Sequence, residues 1–376
     1  MKKMFALAVA IGWLSVRGEP VSVILDTDML TDFDDVGALA CLHALADSGE
    51  AEILAVVSST RGNASVGAIQ VINSYYGRPG IPVGCVKGAG VMGAYPGAMQ
   101  KVGPSEPLGE KTKGDGGHYK YRKLVQDYPD LCTIVDSDDA PDANLIYRKA
   151  LAGAGDGSVT ICSVGFLTNL RRLLETGGDD LSPLDGRSLV SRKVRRLVVM
   201  AGRYPRGKEY NVQWDVESAR LVFSFWPTQI VFSDFEYGMD VFAGRAIVEK
   251  TNGRNPVRDV FAENIPSRRE ISSDAATWQR RCFGMNGRSS WDETAVLAAV
   301  RGVDMYFNAH RGAYRIVGSD GEDEWVPDEE MGPHVRLGEK VNKVEVGKII
   351  DELICQQPKL KQTVYVGFGK GANCGR

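Results

Sequence analysis

Short apolar, β-branched runs alternate along the chain with longer stretches of helical spacing. The runs Val21–Leu25, Ile53–Ser58, Ile81–Val86, Val159–Val164, Arg196–Met200 and Gln229–Phe232 read as strands. Asp35–Ala46, Val66–Tyr76, Ala143–Ala152, Leu167–Glu175 and Val216–Phe225 read as helices between and after them. The strand runs are almost continuously apolar, as a strand covered on both faces requires. This alternation predicts an α/β fold: a doubly wound, mostly parallel open sheet with helices on both faces. Residues 88–122 and 202–214 are rich in Gly, Pro and charge and read as loops, the first as a lid. Tyr306–Leu337 reads as a small irregular β/α extension of short strands and turns, with an acidic loop at Asp320–Glu330. Val344–Cys355 reads as a closing helix. No break in composition marks a second domain, so 19–360 reads as one domain and 361–376 as a tail.

Ligands of such a sheet bind where strands end, and the unusual polar stretches of this chain follow strands. Five aspartates, Asp26, Asp28, Asp32, Asp34 and Asp35, stand within ten residues at the end of the first run. Ser59–Asn63, Ser163–Asn169 and Met200–Asn211 follow three others.

Composition narrows the function classes. With 376 residues and 43% hydrophobic content the chain can bury a full core. A formal net charge of −3 without charge blocks speaks against a nucleic-acid partner. Lys2 and Lys3 before the apolar Met4–Val16, with Val16-Arg17-Gly18 as cleavage site, read as a signal peptide over 1–18 and imply export; the other reading is a buried strand or helix. No later segment is apolar enough to span a membrane. The seven scattered cysteines form no C-x-x-C pair, so neither a zinc site nor a disulfide framework is expected. Only Cys355 with Cys374 stands as a candidate pair.

Five clustered carboxylates raise one another's pKa unless something compensates. A helix N-terminus helps, and a bound cation helps far more. The candidate ligands near the cluster are all oxygens, which favours Ca²⁺, with Mg²⁺ second.

Asp26-Thr27-Asp28 followed by Asp34-Asp35 resembles the signature of the inosine–uridine-preferring nucleoside hydrolase family. The spacer is two residues longer than in the best-known members and includes Asp32. Ser163–Leu170 is similar to the family's G-x-L-T-N segment, Lys208–Ala219 to its E-F-N…D-P-E-A segment, and Ser289–Val300 to the segment with the last metal aspartate. The resemblance implies a Ca²⁺-dependent hydrolase that cleaves the N-glycosidic bond of a ribonucleoside. Asp28, Asp35, Asp292 and the carbonyl of Val164 would ligate the metal, and Asp28 would take the proton of the bound water. Asp34, Asn63, Glu209 and Asn211 would hold the substrate. Asp26 and Asp32 would support the site from behind. His118 and Tyr119 would sit in a lid. Many relatives are dimers or tetramers, which implies a homodimer or homotetramer.

Some positions depart from the family. Its purine-active members often place a His directly before the last aspartate, where this chain has Trp291. The family's upstream sugar-binding Asn has no counterpart, and Arg203 or Lys208 is expected to fill that space. Trp291, Tyr119, Tyr210 and Trp214 are the candidates to stack on a flat base of the substrate. His43 is expected in the core, and His310 and His334 carry no assigned role.

Three rival readings follow from the same residues. An exported ribose- or nucleoside-binding protein would keep the calcium cage without turnover. A haloacid-dehalogenase-like phosphatase would use Asp26 as nucleophile, but position 30 is Leu where that family needs Thr. Gly88–Gly93 fits a dinucleotide glycine pattern, but Pro96, Pro104 and Pro107 follow where a helix should open.

Overall fold

Val23 and Leu25 face one side of the first strand, β1 (Val21–Thr27), and Ile24 faces the other; all three are fully buried. The same division recurs along the sheet. Val56, Cys162 and Val198 belong to one apolar core, and Val57, Ile161 and Val199 to a second. A strand that buries both faces has no polar side to show, which is why its sequence reads as a solid apolar run.

The computed structural model describes residues 18–30, 32–61, 64–88, 118–269 and 282–359. Further strands are β2 (Ala51–Ser58), β3 (Val83–Cys85), β4 (Val159–Ser163), β5 (Val194–Met200), β6 (Arg206–Lys208) and β7 (Gln229–Ser233). They are followed by β8 (Phe242–Gly244), β9 (Phe283–Gly284), β10 (Gly287–Ser289), β11 (Phe307–Ile316), β12 (Glu322–Pro327) and β13 (His334–Glu339). Ten of them form one sheet in the order β3-β2-β1-β4-β5-β7-β13-β11-β12-β6, and β8-β10-β9 form a small second sheet. The pairs from β3 to β13 are parallel; β11, β12 and β6 complete the sheet antiparallel.

The mostly parallel α/β sheet is therefore as expected, with one addition. The strands after Tyr306 do not stand apart as an extension; β13 pairs with β7 and carries the main sheet onward. Two predicted loops also hold regular structure. Residues 118–122 belong to helix α3 (His118–Asp127), and 202–214 contain β6, paired on β12, and helix α7 (Tyr210–Trp214).

Strand order reverses around β1: β2 and β3 lie to one side, β4, β5 and β7 to the other. This switch point leaves a crevice at the strand ends, since crossovers depart in opposite directions. Two helices converge on it, α1 (Asp34–Asp47) and α12 (Trp291–Arg301). Every residue of α1 from Asp34 to Leu45 is buried, which suits a helix enclosed on all sides. Their axes approach closely because position 37 is glycine. A β-carbon there would lie 2.0 Å from Oε1 of the buried Glu293 on α12. The expected outcome for Gly37→Ala is a loss of about 1–3 kcal/mol in denaturant unfolding, the usual cost of overpacking. The loss should shrink when Glu293→Ala is added, whereas additive losses would show that the two positions do not compete for space.

Candidate active site

The site begins where β1 runs out. Thr27 donates from Oγ1 to Asp35 Oδ1, and the Met29 N–H donates to the same oxygen at 3.1 Å. The Leu30 N–H donates to Asp28 Oδ1 at 3.1 Å. Met29 takes a left-handed φ of 45°, a strained state for a residue with a β-carbon. That bend brings Asp28 and the first turn of α1 back over the strand end. Gly165, just after β4, makes room: a β-carbon there would lie 2.7 Å from the Asp28 nitrogen. The Val164 N–H donates to the Asp26 carbonyl at 2.7 Å and closes the β1–β4 seam.

The first turns of α1 and α12 each carry adjacent acids, Asp34–Asp35 and Asp292–Glu293. The Asp292 N–H donates to Asp34 Oδ2 at 3.3 Å. One oxygen each from Asp34, Asp35 and Asp292 lies within 4.8 Å of the other two, and all three residues are buried. They border a cavity of about 540 Å³, the size of a small-molecule site, together with Asp28, Val164, Glu209, Tyr210, Asn211 and Trp291.

Burial raises the carboxyl groups of Asp28, Asp34, Asp35 and Asp292. Repulsion among them raises them further: Asp35 acts on Asp28, Asp32 and Asp35 on Asp34, and Asp34 on Asp292. Asp32 differs. Burial pushes it up, but the charges of Arg288 and Lys120 and the Arg288 and Phe33 hydrogen bonds hold it below the ordinary carboxylate range. Helix N-termini ease the repulsion at the cluster only in part. A hard divalent cation would resolve it, and an all-oxygen set of buried carboxylates beside a carbonyl suits Ca²⁺ or Mg²⁺.

Asp26 does not border the cavity. Tyr147 Oη donates to its Oδ2 at 2.9 Å and Asn169 Nδ2 to its Oδ1 at 3.1 Å. A carboxylate gripped at both oxygens is in no position to attack a substrate. Thr168 and Asn169, the T-N of the quoted segment, thus have structural work: Thr168 donates to Asp215, the cap of helix α8 (Val216–Phe225), and Asn169 holds Asp26.

Asn63 and residues 1–17, nearly all of the segment expected to be a leader, lie outside the described residues, as do 89–117 and Cys374. His118 and Tyr119 open α3, but their side chains are also outside the description. Arg203 and Lys208 do not fill the cavity. Arg203 pairs with Glu236 at 2.8 Å and lies over the Phe235 ring at 3.9 Å, and Lys208 pairs with Asp320 at 2.5 Å. Trp214 packs edge-on against Tyr210 and stays off the cavity wall. His43 is buried, bonded to Asn73 Oδ1 at 2.9 Å and stacked on Tyr76 at 4.6 Å. His334 is bonded to backbone at both ring nitrogens. The cations that do border the cavity, Lys120 and Arg288, were not singled out by the sequence, nor were Phe33, Phe235 and Phe283. The one signal for Arg288 was its place just ahead of the Asp292 segment.

A family model described as inosine-uridine preferring nucleoside hydrolase matches residues 23–352. Solved structures share the fold at low identity. A plant nucleoside hydrolase is 19% identical, with a TM-score of 0.60 over 89% of this chain and 99% of its own. A purine-preferring ribonucleoside hydrolase from Gardnerella vaginalis is 16% identical, with a TM-score of 0.60 over 89% and 99%. The inosine-uridine preferring nucleoside hydrolase of Bacillus anthracis is 16% identical, with a TM-score of 0.58 over 89% and 99%. No curated protein matches the chain significantly.

Glu209 gives a pH test of this electrostatics. It caps α7, accepting from the Asn211 and Val212 N–H groups at 3.0 and 3.1 Å. Burial lifts its carboxyl from an ordinary 4.5 to about 8. The native state therefore holds this proton more tightly than the unfolded chain. Its stabilising contribution is complete below about 4.5 and fades as pH rises through about 8. Denaturant unfolding of chelator-treated protein should show stability falling across that window, and less steeply in Glu209→Gln. Equal slopes in both proteins would contradict the burial effect.

Proposed function

The chain belongs to the inosine-uridine preferring nucleoside hydrolase family, and we propose that it cleaves the N-glycosidic bond of a ribonucleoside using a water activated by Asp28 beside a Ca²⁺ ion. The observation that carries the reading is the convergence of Asp34 and Asp35 with Asp292, more than 250 residues later, on one cavity. Asp28, Asp35, Asp292 and the Val164 carbonyl would hold the ion; bound there, it would lower the pKa of a water and fix the hydroxyls of a ribose.

The chain's own residues supply the rest. Asp28 accepts the water's proton, and its backbone is pinned by Thr60, which donates to the Asp28 carbonyl at 2.7 Å. Asp34 sits close enough to Asp292 to share the sugar hydroxyls with the metal ligands. Glu209 and Asn211, which border the same cavity, bind the remaining hydroxyls. Asn211 is fixed for this by its Nδ2, which donates to the Met200 and Val164 carbonyls at 3.1 and 3.3 Å. The ribosyl group becomes cationic as the C–N bond lengthens, and the surrounding carboxylates stabilise that charge as it develops. Trp291 forms part of the wall for the base, with its indole N–H already committed to the Phe235 carbonyl at 2.8 Å.

Export through the leader at 1–18 and a homodimeric or homotetrameric state belong to the same reading. No helix among the described residues is long and apolar enough to cross a membrane.

A reducing-sugar assay over a nucleoside panel tests it. Wild type should release ribose, and a chelator should abolish release. Asp28→Asn should lower kcat by roughly 100-fold or more, the range for loss of a general base. Release that survives both treatments would overturn the mechanism. Tight nucleoside binding without any release would instead favour the non-catalytic binding protein.

A further inference from the structure

The cavity has two kinds of wall. One is acidic, with Asp28, Asp34, Asp35 and Asp292 in the lining; the other is aromatic, with Phe33, Phe235, Phe283 and Trp291 in the same lining. The rings form two pairs. Phe33 and Phe283 are stacked at 6.4 Å and 25°, and Phe235 and Trp291 lie 5.2 Å apart at 33°. Arg288 stands among them. Its guanidinium carbon is 5.1 Å from the Trp291 ring, 5.6 Å from Phe33 and 5.0 Å from Phe283.

Arg288 is also held in place. Its Nε donates to Asp32 Oδ1 at 3.0 Å and an Nη donates to Oδ2, a two-pronged grip. Its side chain is only 13% exposed. The Cys282 thiol takes a further hydrogen bond. A guanidinium has five N–H groups, more than these partners use, and the residue borders the cavity. The cluster thus places a fixed guanidinium, anchored on Asp32 and with N–H groups to spare, among the rings and next in the chain to the segment that carries Asp292.

Given the hydrolysis proposed above, we infer that Arg288 stabilises the departing base. When the C1′–N bond breaks, its electron pair goes to the base nitrogen, and negative charge spreads over the ring heteroatoms. The water forms the new C1′–O bond and gives its proton to Asp28. The base anion takes a proton from solvent, and Asp28 returns its own, so riboside and water become ribose and free base. Arg288 does not surrender a proton at any accessible pH. It acts through a charge-assisted hydrogen bond to the base that strengthens as the bond breaks. The flat aromatic wall seats the base against that donor. No histidine with a described side chain borders the cavity.

The test separates leaving-group help from every other role. Arg288→Gln and Arg288→Lys are compared on a nucleoside and on p-nitrophenyl β-D-ribofuranoside, whose phenolate departs without assistance. Arg288→Gln should lose about 100-fold in kcat/KM on the nucleoside but less than about fivefold on the nitrophenyl riboside, with Arg288→Lys between it and wild type. Asp32→Asn, which keeps the arginine but takes the charge and one acceptor from its anchor, should show a smaller loss biased the same way. Added Ca²⁺ should raise the melting temperature of wild type and, equally, of each variant that folds. Equal losses on both substrates would overturn the assignment and leave Arg288 a structural residue. A wild-type enzyme inactive on all ribosides would sink the hydrolase reading itself, which is a different outcome.

Discussion

Mutual repulsion among buried carboxylates is the constraint from which the rest of this molecule follows. Asp34, Asp35 and Asp292 crowd together, and Asp28 adds a fourth acid to the same cavity. Burial alone disfavours each charge, and each neighbour disfavours it further. Chains do not accumulate such groups in their interior without something that repays them. Here the compensation within the protein is two helix N-termini, a threonine, a few backbone N–H groups, the charge of Lys120, and an Arg288 that is committed to Asp32. The deficit is what a hard divalent ion would fill.

The fold holds that arrangement against its own repulsion. The main sheet changes direction at β1, so its end opens onto a crevice. The bend at Met29 folds the next residues over that end, and Gly165 and Gly37 let backbone and helix close in. α1 is buried all round and cannot shift to relieve its acids. Behind the cavity, Tyr147 and Asn169 fix Asp26, whose carboxyl burial lifts to about 7 against the pull of those two hydrogen bonds. The aromatic rings around Arg288 are the counterpart: a flat surface beside a guanidinium anchored on Asp32, with Lys120 also lying over Phe33.

Much of this was legible in the sequence, for identifiable reasons. A strand covered on both faces reads as an apolar run, and acids bunched at the end of such a run have few structural uses, so β1 and the aspartates stood out. Asp292, Glu209 and Asn211 could be placed only through ordered blocks similar to a known family, because nothing local ties them to β1. Lys120 and Arg288 escaped notice because a single cation after an irregular stretch has no periodicity. Arg203 and Lys208 misled for a related reason: proximity in sequence to Glu209 does not give direction, and each side chain turns to an acid elsewhere. The strands after Tyr306 looked irregular because their place beside β7 is a long-range pairing.

Isothermal titration of Ca²⁺ into chelator-treated protein tests the central claim most directly. The account predicts one equivalent bound per chain, with protons released because the raised carboxyls must ionise. Asp292→Asn should bind at least tenfold more weakly. Absence of stoichiometric binding in the folded wild type, or unchanged affinity in Asp292→Asn, would contradict it.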